Sequence, residues 1–224
     1  MRDRRTILPV YIVADESGSL GPHLDEVNQG IASIQDALLD DPIAAAKVRL
    51  TIIGFAEDAI VRLHLADLRR VETFPVLLGR GSSNYGPAFS ILRELIPSDV
   101  ATLKGDGYSV HRPAVFFLSD GQPTDGNRWH AIHRSITDRS VAQWAPNIIA
   151  CGIGDAEPST MLSVATRPEY GFIVPDGIDA GLAISRFCLA LTKSVVASGR
   201  SLADGTPQLI VERPEGFKMA IDVV

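Results

Sequence analysis

The chain has 224 residues, of which 46% are apolar and 21% charged, so it can bury a full core and is not intrinsically disordered. Its length fits one domain better than two. The 19 glycines and 14 prolines follow no period, which excludes a collagen-like or linker composition.

The net charge is −6, from 21 Lys+Arg against 27 Asp+Glu, and no basic run is longer than an arginine pair. A nucleic acid is therefore not an expected partner. Cys151 and Cys188 lie in apolar stretches and lack the spacing of a zinc site or a disulfide framework. Such cysteines are typical of reduced core residues, and we predict a cytoplasmic location.

The N-terminal stretch combines Arg2, Arg4 and Arg5 with an apolar run over residues 7–14, a pattern that imitates a secretory signal. The run contains Pro9 and is followed by acidic residues instead of a small-residue cleavage site. We therefore expect a buried strand. No stretch approaches the roughly 20 apolar residues of a membrane span, so no membrane partner is expected.

Short apolar runs alternate with helical patterns along the chain. The runs cover residues 7–14, 48–56, 60–65, 114–118, 148–153 and 170–174, and the helical patterns cover about 20–38, 87–95, 129–142, 159–166 and 178–196. This alternation predicts an α/β fold: a doubly wound, mostly parallel central sheet of about six strands with helices on both faces. The second and third runs are too close in sequence for a crossover, and they predict one antiparallel edge strand.

The character of the chain changes after Gly199. Residues 207–211 and 217–224 are strand-like and flank the turn-like sequence Arg-Pro-Glu-Gly at 213–216. We predict one domain over residues 1–198 and a C-terminal extension over residues 199–224 that forms a β-hairpin or a strand-like tail.

Oxygen-bearing side chains gather in three segments, each at a predicted strand end or helix start. Residues 15–19 are Asp-Glu-Ser-Gly-Ser, residues 81–86 are Gly-Ser-Ser-Asn-Tyr-Gly, and residues 119–125 are Ser-Asp-Gly-Gln-Pro-Thr-Asp. Ligands of open α/β sheets bind outside the carboxyl ends of the strands. The first and fourth predicted strands are expected to be neighbours, so the first and third segments should meet.

Carboxylates combined with neutral hydroxyls suit a hard divalent cation such as Mg²⁺. Asp15 and Asp120 supply the carboxylates, while Ser17 and Ser19 present hydroxyls on a turn relaxed by Gly18. With only two carboxylates and otherwise neutral ligands, we expect a bound divalent cation not to be over-neutralised. An open coordination position would then attract an acidic group from outside.

The sequence Asp15-x-Ser17-x-Ser19 resembles the DxSxS element of von Willebrand factor A (vWA) domains, whose metal-ion-dependent adhesion site (MIDAS) is completed by a distant threonine and a distant aspartate. Residues 117–125, Phe-Leu-Ser-Asp-Gly-Gln-Pro-Thr-Asp, resemble a run of the bacterial TerY-like branch, which is associated with tellurite-resistance and stress modules. Residues 83–89 stand where that branch has T-x-x-G-x-A-L. The resemblance covers approximately residues 7 to 198.

The resemblance implies a protein-binding module that holds a divalent cation, Mg²⁺ or else Mn²⁺ or Ca²⁺. The implied metal ligands are Asp15, Ser17, Ser19, Ser83 and Asp120. An Asp or Glu of a protein partner would complete the coordination, in a bacterial module associated with a kinase and a phosphatase. Ser83 replaces the usual threonine and lacks the methyl that restricts the rotamer, and Ser82 competes for the same role.

Each motif also has a structural interpretation. Residues 15–19 fit a turn that caps a helix, and Ser83 fits a cap ahead of Pro87. Asp125 fits the cap of a helix starting near Gly126 better than a metal ligand.

Two further patterns are weaker. His130 and His133 have a spacing that can hold zinc, but no third ligand accompanies them, so we expect a solvated helix face. The Gly79-Arg80-Gly81 stretch lacks the spacing of a phosphate-binding loop.

Enzyme templates are incomplete, and we expect no enzymatic activity. An aspartyl phosphatase built on Asp15 needs a second aspartate two residues later, where the chain has Ser17. A serine hydrolase needs G-x-S-x-G, and residues 81–85 lack the last glycine. The alternative is a metal-dependent hydrolase or phosphotransferase that uses the same cation, for which Glu16 is the nearby acid.

Overall fold

A computed structural model describes residues 6–223. The strands are β1 (Thr6–Asp15), β2 (Val48–Phe55), β3 (Ala59–Ala66), β4 (Ser109–Val110), β5 (Ala114–Ser119), β6 (Asn147–Gly152), β7 (Gly171–Ile173) and β8 (Lys218–Met219). The α-helices are α1 (Leu24–Leu39), α2 (Pro42–Ala45), α3 (Tyr85–Gly105), α4 (Trp129–Thr137), α5 (Pro158–Val164) and α6 (Ala180–Ala203). Together they form a mostly parallel sheet with helices against it.

The sheet has eight strands in the order β3-β2-β1-β5-β6-β7-β8, with β4 beside the start of β1. Four neighbouring pairs are parallel, namely β2 with β1, β1 with β5, β5 with β6, and β6 with β7, whereas β3 is antiparallel to β2. The predicted α/β class, its central strands and the antiparallel edge pair are therefore confirmed. The other edge is antiparallel too, since β8 pairs with β7. Both β4 and β8 have only two residues, too few for a hydrophobic pattern.

Side chains of β1 alternate between two cores on opposite faces of the sheet. Val10 and Ile12 lie in the core shared with α1, α2 and α6, whereas Tyr11 and Val13 lie in the core shared with α3, α4 and α5. Burial on both faces explains the continuous apolar run of β1. The interpretation of this run as a buried strand is confirmed, and Arg2, Arg4 and Arg5 lie outside the described residues.

The helices α1 and α6 pack closely at small residues. A Cβ at Gly30 would lie 2.3 Å from Sγ of Cys188, so the glycine lets the helices approach. Cys151 and Cys188 are both buried and free, and burial raises the pKa of the Cys188 thiol to about 12. By length and composition alone α6 could cross a membrane, but 56% of its most apolar window is buried inside the protein, as expected of a core helix.

The chain after α6 runs back along that helix and then joins the sheet. The backbone N–H of Ile210 donates to Oγ of Ser198 at 2.8 Å, and that of Glu212 donates to Oγ of Ser194 at 2.9 Å. The helix continues to Ala203, beyond the boundary predicted at 198. Within residues 6–223, the two strand-like segments do not pair with each other, and β8 of the second pairs with β7 instead.

Candidate metal centre

The first predicted ligand, Asp15, ends β1 and lies at the centre of a hydrogen-bond cluster. Its carboxylate is buried and accepts from the backbone N–H of Ser17 at 2.8 Å and from Oγ of Ser83 at 2.8 Å. Oγ of Ser119 donates to it at 2.7 Å. The structure therefore joins the first and second segments at the end of the central strand.

The second carboxylate, Asp120, lies beside the same turn. Oγ of Ser19 donates to Asp120 Oδ1 at 3.0 Å, and Oγ of Ser17 donates to the same oxygen at 3.5 Å. The two serine hydroxyls lie 3.0 Å apart. All five sequence-predicted ligand residues are thus gathered in one cluster.

The cluster fits a hard divalent cation by the chemistry of its donors. Its five predicted ligand residues present two carboxylates and three hydroxyls, which are the anionic and neutral oxygens that Mg²⁺ accepts. Among residues 6–223, no three His, Cys, Asp or Glu side chains form a group able to hold a metal, so a site here depends on the serines. Burial, and then the charge of Asp15, raise the pKa of the Asp120 carboxyl. A cation would offset that repulsion.

Ser83, and not Ser82, contacts the cluster. Ser83 is buried and donates to Asp15, whereas Ser82 is half-exposed. The backbone oxygen of Ser83 accepts from the backbone N–H of Thr124 at 2.8 Å, which joins the second segment to the third. Helix α3 begins after Asn84, so Ser83 is not its N-cap residue.

Asp125 was predicted to cap a helix near Gly126. It does cap a helix, but that helix is α3. Asp125 accepts from the backbone N–H of Gly86 at 2.7 Å and from that of Tyr85 at 3.3 Å, so it caps the start of α3. The carboxylate reaches across because its segment packs against that helix end. Helix α4 begins only at Trp129.

Glu16, the acid considered for a hydrolase, points away from the cluster. Its buried carboxylate accepts hydrogen bonds from Arg62 at 3.1 Å and from Arg80 at 2.7 Å. It is therefore occupied by two guanidinium groups instead of facing Asp120.

The two histidines on α4 do not form the solvated face that the sequence predicts. His133 packs edge-on against Phe89 with ring centroids 5.0 Å apart, and its Nε2 donates to the carbonyl oxygen of Val164 at 2.8 Å. His130 stacks on Trp129 at 3.8 Å. The spacing of the two histidines could not predict this packing, because Phe89 belongs to a different helix, α3.

Two contributors to the cluster were not identified as site residues from the sequence. Ser119 donates to Asp15, and the register that pairs Ala14 with Leu118 places these two residues side by side. Tyr85 donates from its hydroxyl to the carbonyl oxygen of Gly121 at 3.1 Å and so holds the third segment. The strand register could have identified Ser119 as a neighbour of Asp15, whereas no sequence pattern indicated a role for Tyr85.

No family model matches the sequence, and no curated protein matches it. Solved structures do match the fold. A von Willebrand factor type A protein from Catenulispora acidiphila aligns with a TM-score of 0.56 at 13% identity, over 85% of this chain and 43% of that one. The fold is of the von Willebrand factor A type.

Two other structures share the vWA-like fold. The pilus adhesin SpaC from Lactobacillus rhamnosus GG, in its open conformation, aligns with a TM-score of 0.64 at 11% identity, over 85% of this chain and 30% of that one. Proximal thread matrix protein 1 from the mussel byssus aligns with a TM-score of 0.56 at 13% identity, over 86% of this chain and 48% of that one. The chain spans less than half the length of each of these structures.

Proposed function

We propose that this protein is a metal-ion-dependent protein-binding module of vWA type. The observation that carries the proposal is the convergence of three distant segments on one oxygen-lined cluster. The proposed ligands of the divalent cation are Asp15, Ser17, Ser19, Ser83 and Asp120. Mg²⁺ is the proposed metal because the donors are carboxylate and hydroxyl oxygens, and Mn²⁺ and Ca²⁺ accept the same atoms.

The proposed partner is a protein that presents an Asp or Glu to this site. Asp15 and Asp120 together balance the formal charge of a divalent cation, so the attraction for an acid comes from an open coordination position on the cation, and the protein around it carries a net charge of −6. The overall field would repel an acidic partner, so the local cation must provide the attraction. The resulting charge-assisted, partly desolvated contact is strong for its size.

The proposed setting is a bacterial, cytoplasmic stress or tellurite-resistance type system of the TerY-like branch. This part rests on the resemblance of residues 117–125 and on the reduced cysteines. The similarity in fold to a pilus adhesin and to a byssus matrix protein supports a binding role, since neither name denotes an enzyme. Glu16 supports the same choice, because two arginines occupy the acid that a hydrolase would need.

The test is capture of partners with and without the metal. Immobilised protein should retain a partner in Mg²⁺ and release it in EDTA, and replacing the partner's acidic residue by alanine should abolish retention. Asp120→Ala should lose the partner while remaining folded. Asp36→Ala is the matched control, because Asp36 is exposed on α1 away from the cluster.

Two outcomes would contradict the proposal. One is retention that neither EDTA nor Asp120→Ala affects. The other is hydrolysis of phosphate esters that depends on Asp15, which would favour the metal-dependent hydrolase or phosphotransferase.

A further inference from the structure

Glu16 lies in sequence between the proposed ligands Asp15 and Ser17, yet its side chain belongs to a different network. Because neighbouring side chains of an extended chain point to opposite sides, Glu16 faces away from both. Its carboxylate accepts from Nε and Nη2 of Arg62 at 3.1 Å each, from Nε of Arg80 at 2.7 Å, and from the backbone N–H of Leu78 at 3.1 Å. The carboxylate is fully buried, and donors from two other parts of the chain bind both of its oxygens.

The surroundings are built to hold this carboxylate. A Cβ at Gly54 would lie 2.2 Å from Cδ of Glu16, so a glycine leaves the space that the acid fills. The Arg80 guanidinium also donates to the carbonyl oxygen of Gly54 at 3.2 Å and pairs with Asp58. A buried charge is tolerated when its hydrogen bonds are satisfied, and a network of this kind holds its members in one arrangement.

The backbone around Glu16 is fastened to the same neighbours. Its N–H donates to the carbonyl oxygen of Phe55 at 2.7 Å, and its carbonyl oxygen accepts from the N–H of Arg80 at 2.6 Å. The N–H of Gly18 donates to the carbonyl oxygen of Gly81 at 3.0 Å. The segment that carries Asp15 and Ser17 is therefore tied to residues 78–81, which lead directly into Ser83.

We propose that Glu16, held by Arg62 and Arg80, is a positioning group that sets the spacing of Asp15, Ser17 and Ser83 and thereby favours Mg²⁺ over Ca²⁺. This inference rests on the proposed function, because it presumes a cation at the cluster. Mg²⁺ requires near-octahedral ligands at about 2.0–2.1 Å, whereas Ca²⁺ accepts six to eight ligands at about 2.3–2.6 Å in flexible geometry. A loosened ligand set should therefore harm Mg²⁺ binding more than Ca²⁺ binding.

The test compares Mg²⁺ and Ca²⁺ dissociation constants by calorimetry on the full chain. Glu16→Gln keeps the shape of the side chain and removes the charge that pairs with both arginines. Its Mg²⁺ affinity should fall roughly 10- to 100-fold, as is common when groups behind metal ligands are changed, and its Ca²⁺ affinity should fall less than about threefold. Gly54→Ala, which displaces the acid without changing any charge, should show the same selectivity.

Asp99→Asn is the matched control. Asp99 is another buried carboxylate, bound by Tyr11 at 2.7 Å and by His64 at 2.7 Å, but it is remote in sequence from the cluster and contacts none of its side chains. It should lower the thermal unfolding midpoint while leaving both metal affinities unchanged, which separates lost stability from lost positioning.

The outcomes distinguish the inference from the proposed function. If the wild-type chain binds neither Mg²⁺ nor Ca²⁺, the proposed metal site is wrong. If the wild type binds and Glu16→Gln loses nothing, or loses both metals equally, only the positioning role is overturned. Should Glu16→Gln fail to fold, Gly54→Ala decides by the same criterion.

Discussion

The hydroxyl of Ser83 lies 2.8 Å from Oδ2 of Asp15, although 68 positions separate the two residues in the chain. The contact joins the segment just before α3 to the end of β1. It also assigns the role of the distant hydroxyl in the cluster to Ser83, because the adjacent Ser82 is half-exposed.

Removal of that hydroxyl should weaken metal binding. We expect Ser83→Ala to lower Mn²⁺ affinity about tenfold in a titration followed by electron paramagnetic resonance, within the range seen when groups at a metal site are removed. Ser82→Ala is the neighbouring control and should leave the affinity unchanged. Ser83→Thr should bind at least as tightly, because the added methyl restricts the rotamer. Equal losses for the two alanine variants would contradict the assignment.

Asp125 should behave as a helix cap and not as a metal ligand. We expect Asp125→Ala to lower the free energy of unfolding by about 1 kcal/mol, because two backbone N–H groups of α3 lose their acceptor. In a domain of this size, such a loss of free energy lowers the thermal unfolding midpoint by about 2–4 °C, which calorimetry can measure. Asp176→Ala, on an exposed loop, serves as the control. A metal dissociation constant raised tenfold with the midpoint unchanged would show instead that Asp125 is a ligand.

His133 should make the free energy of unfolding depend on pH. Burial lowers the pKa of the folded His133 below its ordinary value of 6.5. Between the folded pKa and the unfolded one, the unfolded chain binds more protons, so stability rises with pH through this window and is lost as the pH falls below about 6.5.

The measurement is urea unfolding at several pH values between 5 and 8. The His133 contribution to the slope is at most about 1.4 kcal/mol per pH unit. His133→Gln retains a donor for Val164 without a titrating ring, and should flatten the curve. A curve with the same slope in wild type and His133→Gln would refute this assignment.

The contact between α1 and α6 leaves no room for a side chain at Gly30. We expect Gly30→Ala to cost about 1–3 kcal/mol of unfolding free energy, because its Cβ would overlap Sγ of Cys188. Removing the sulfur in Gly30→Ala/Cys188→Ala should recover part of that loss in a double-mutant cycle. Gly105→Ala is the control, since a Cβ there meets nothing. Strict additivity of the two changes would contradict the close approach.

Much of the fold was predictable because the central strands are buried on both faces and leave continuous apolar runs. The sequence could not define β8, since two residues carry no pattern. The last helix was predicted to end near residue 196, but α6 continues through Gly199 to Ala203. A Cβ at Gly199 would lie 2.9 Å from Cβ of Ala44, so this glycine serves close packing against α2 instead of ending the helix.

The candidate site was predictable to the extent that its residues lie in short motifs at strand ends. Asp15, Ser17 and Ser19 fall within five positions, and strand order brings Asp120 beside them. The motif does not show which other residues hold its segment in place. The partners of Glu16 come from β3 and from residues 78–80, and only the folded chain shows that they meet.

The proposed metal site is tested most directly by a calorimetric titration of Mg²⁺ into the wild-type chain and into Asp15→Ala, with Asp36→Ala as control and circular dichroism to verify folding. We predict one Mg²⁺ site in the wild type and in Asp36→Ala, and none in folded Asp15→Ala. A wild-type chain that binds no divalent cation, or an Asp15→Ala variant that binds Mg²⁺ as the wild type does, would contradict this prediction.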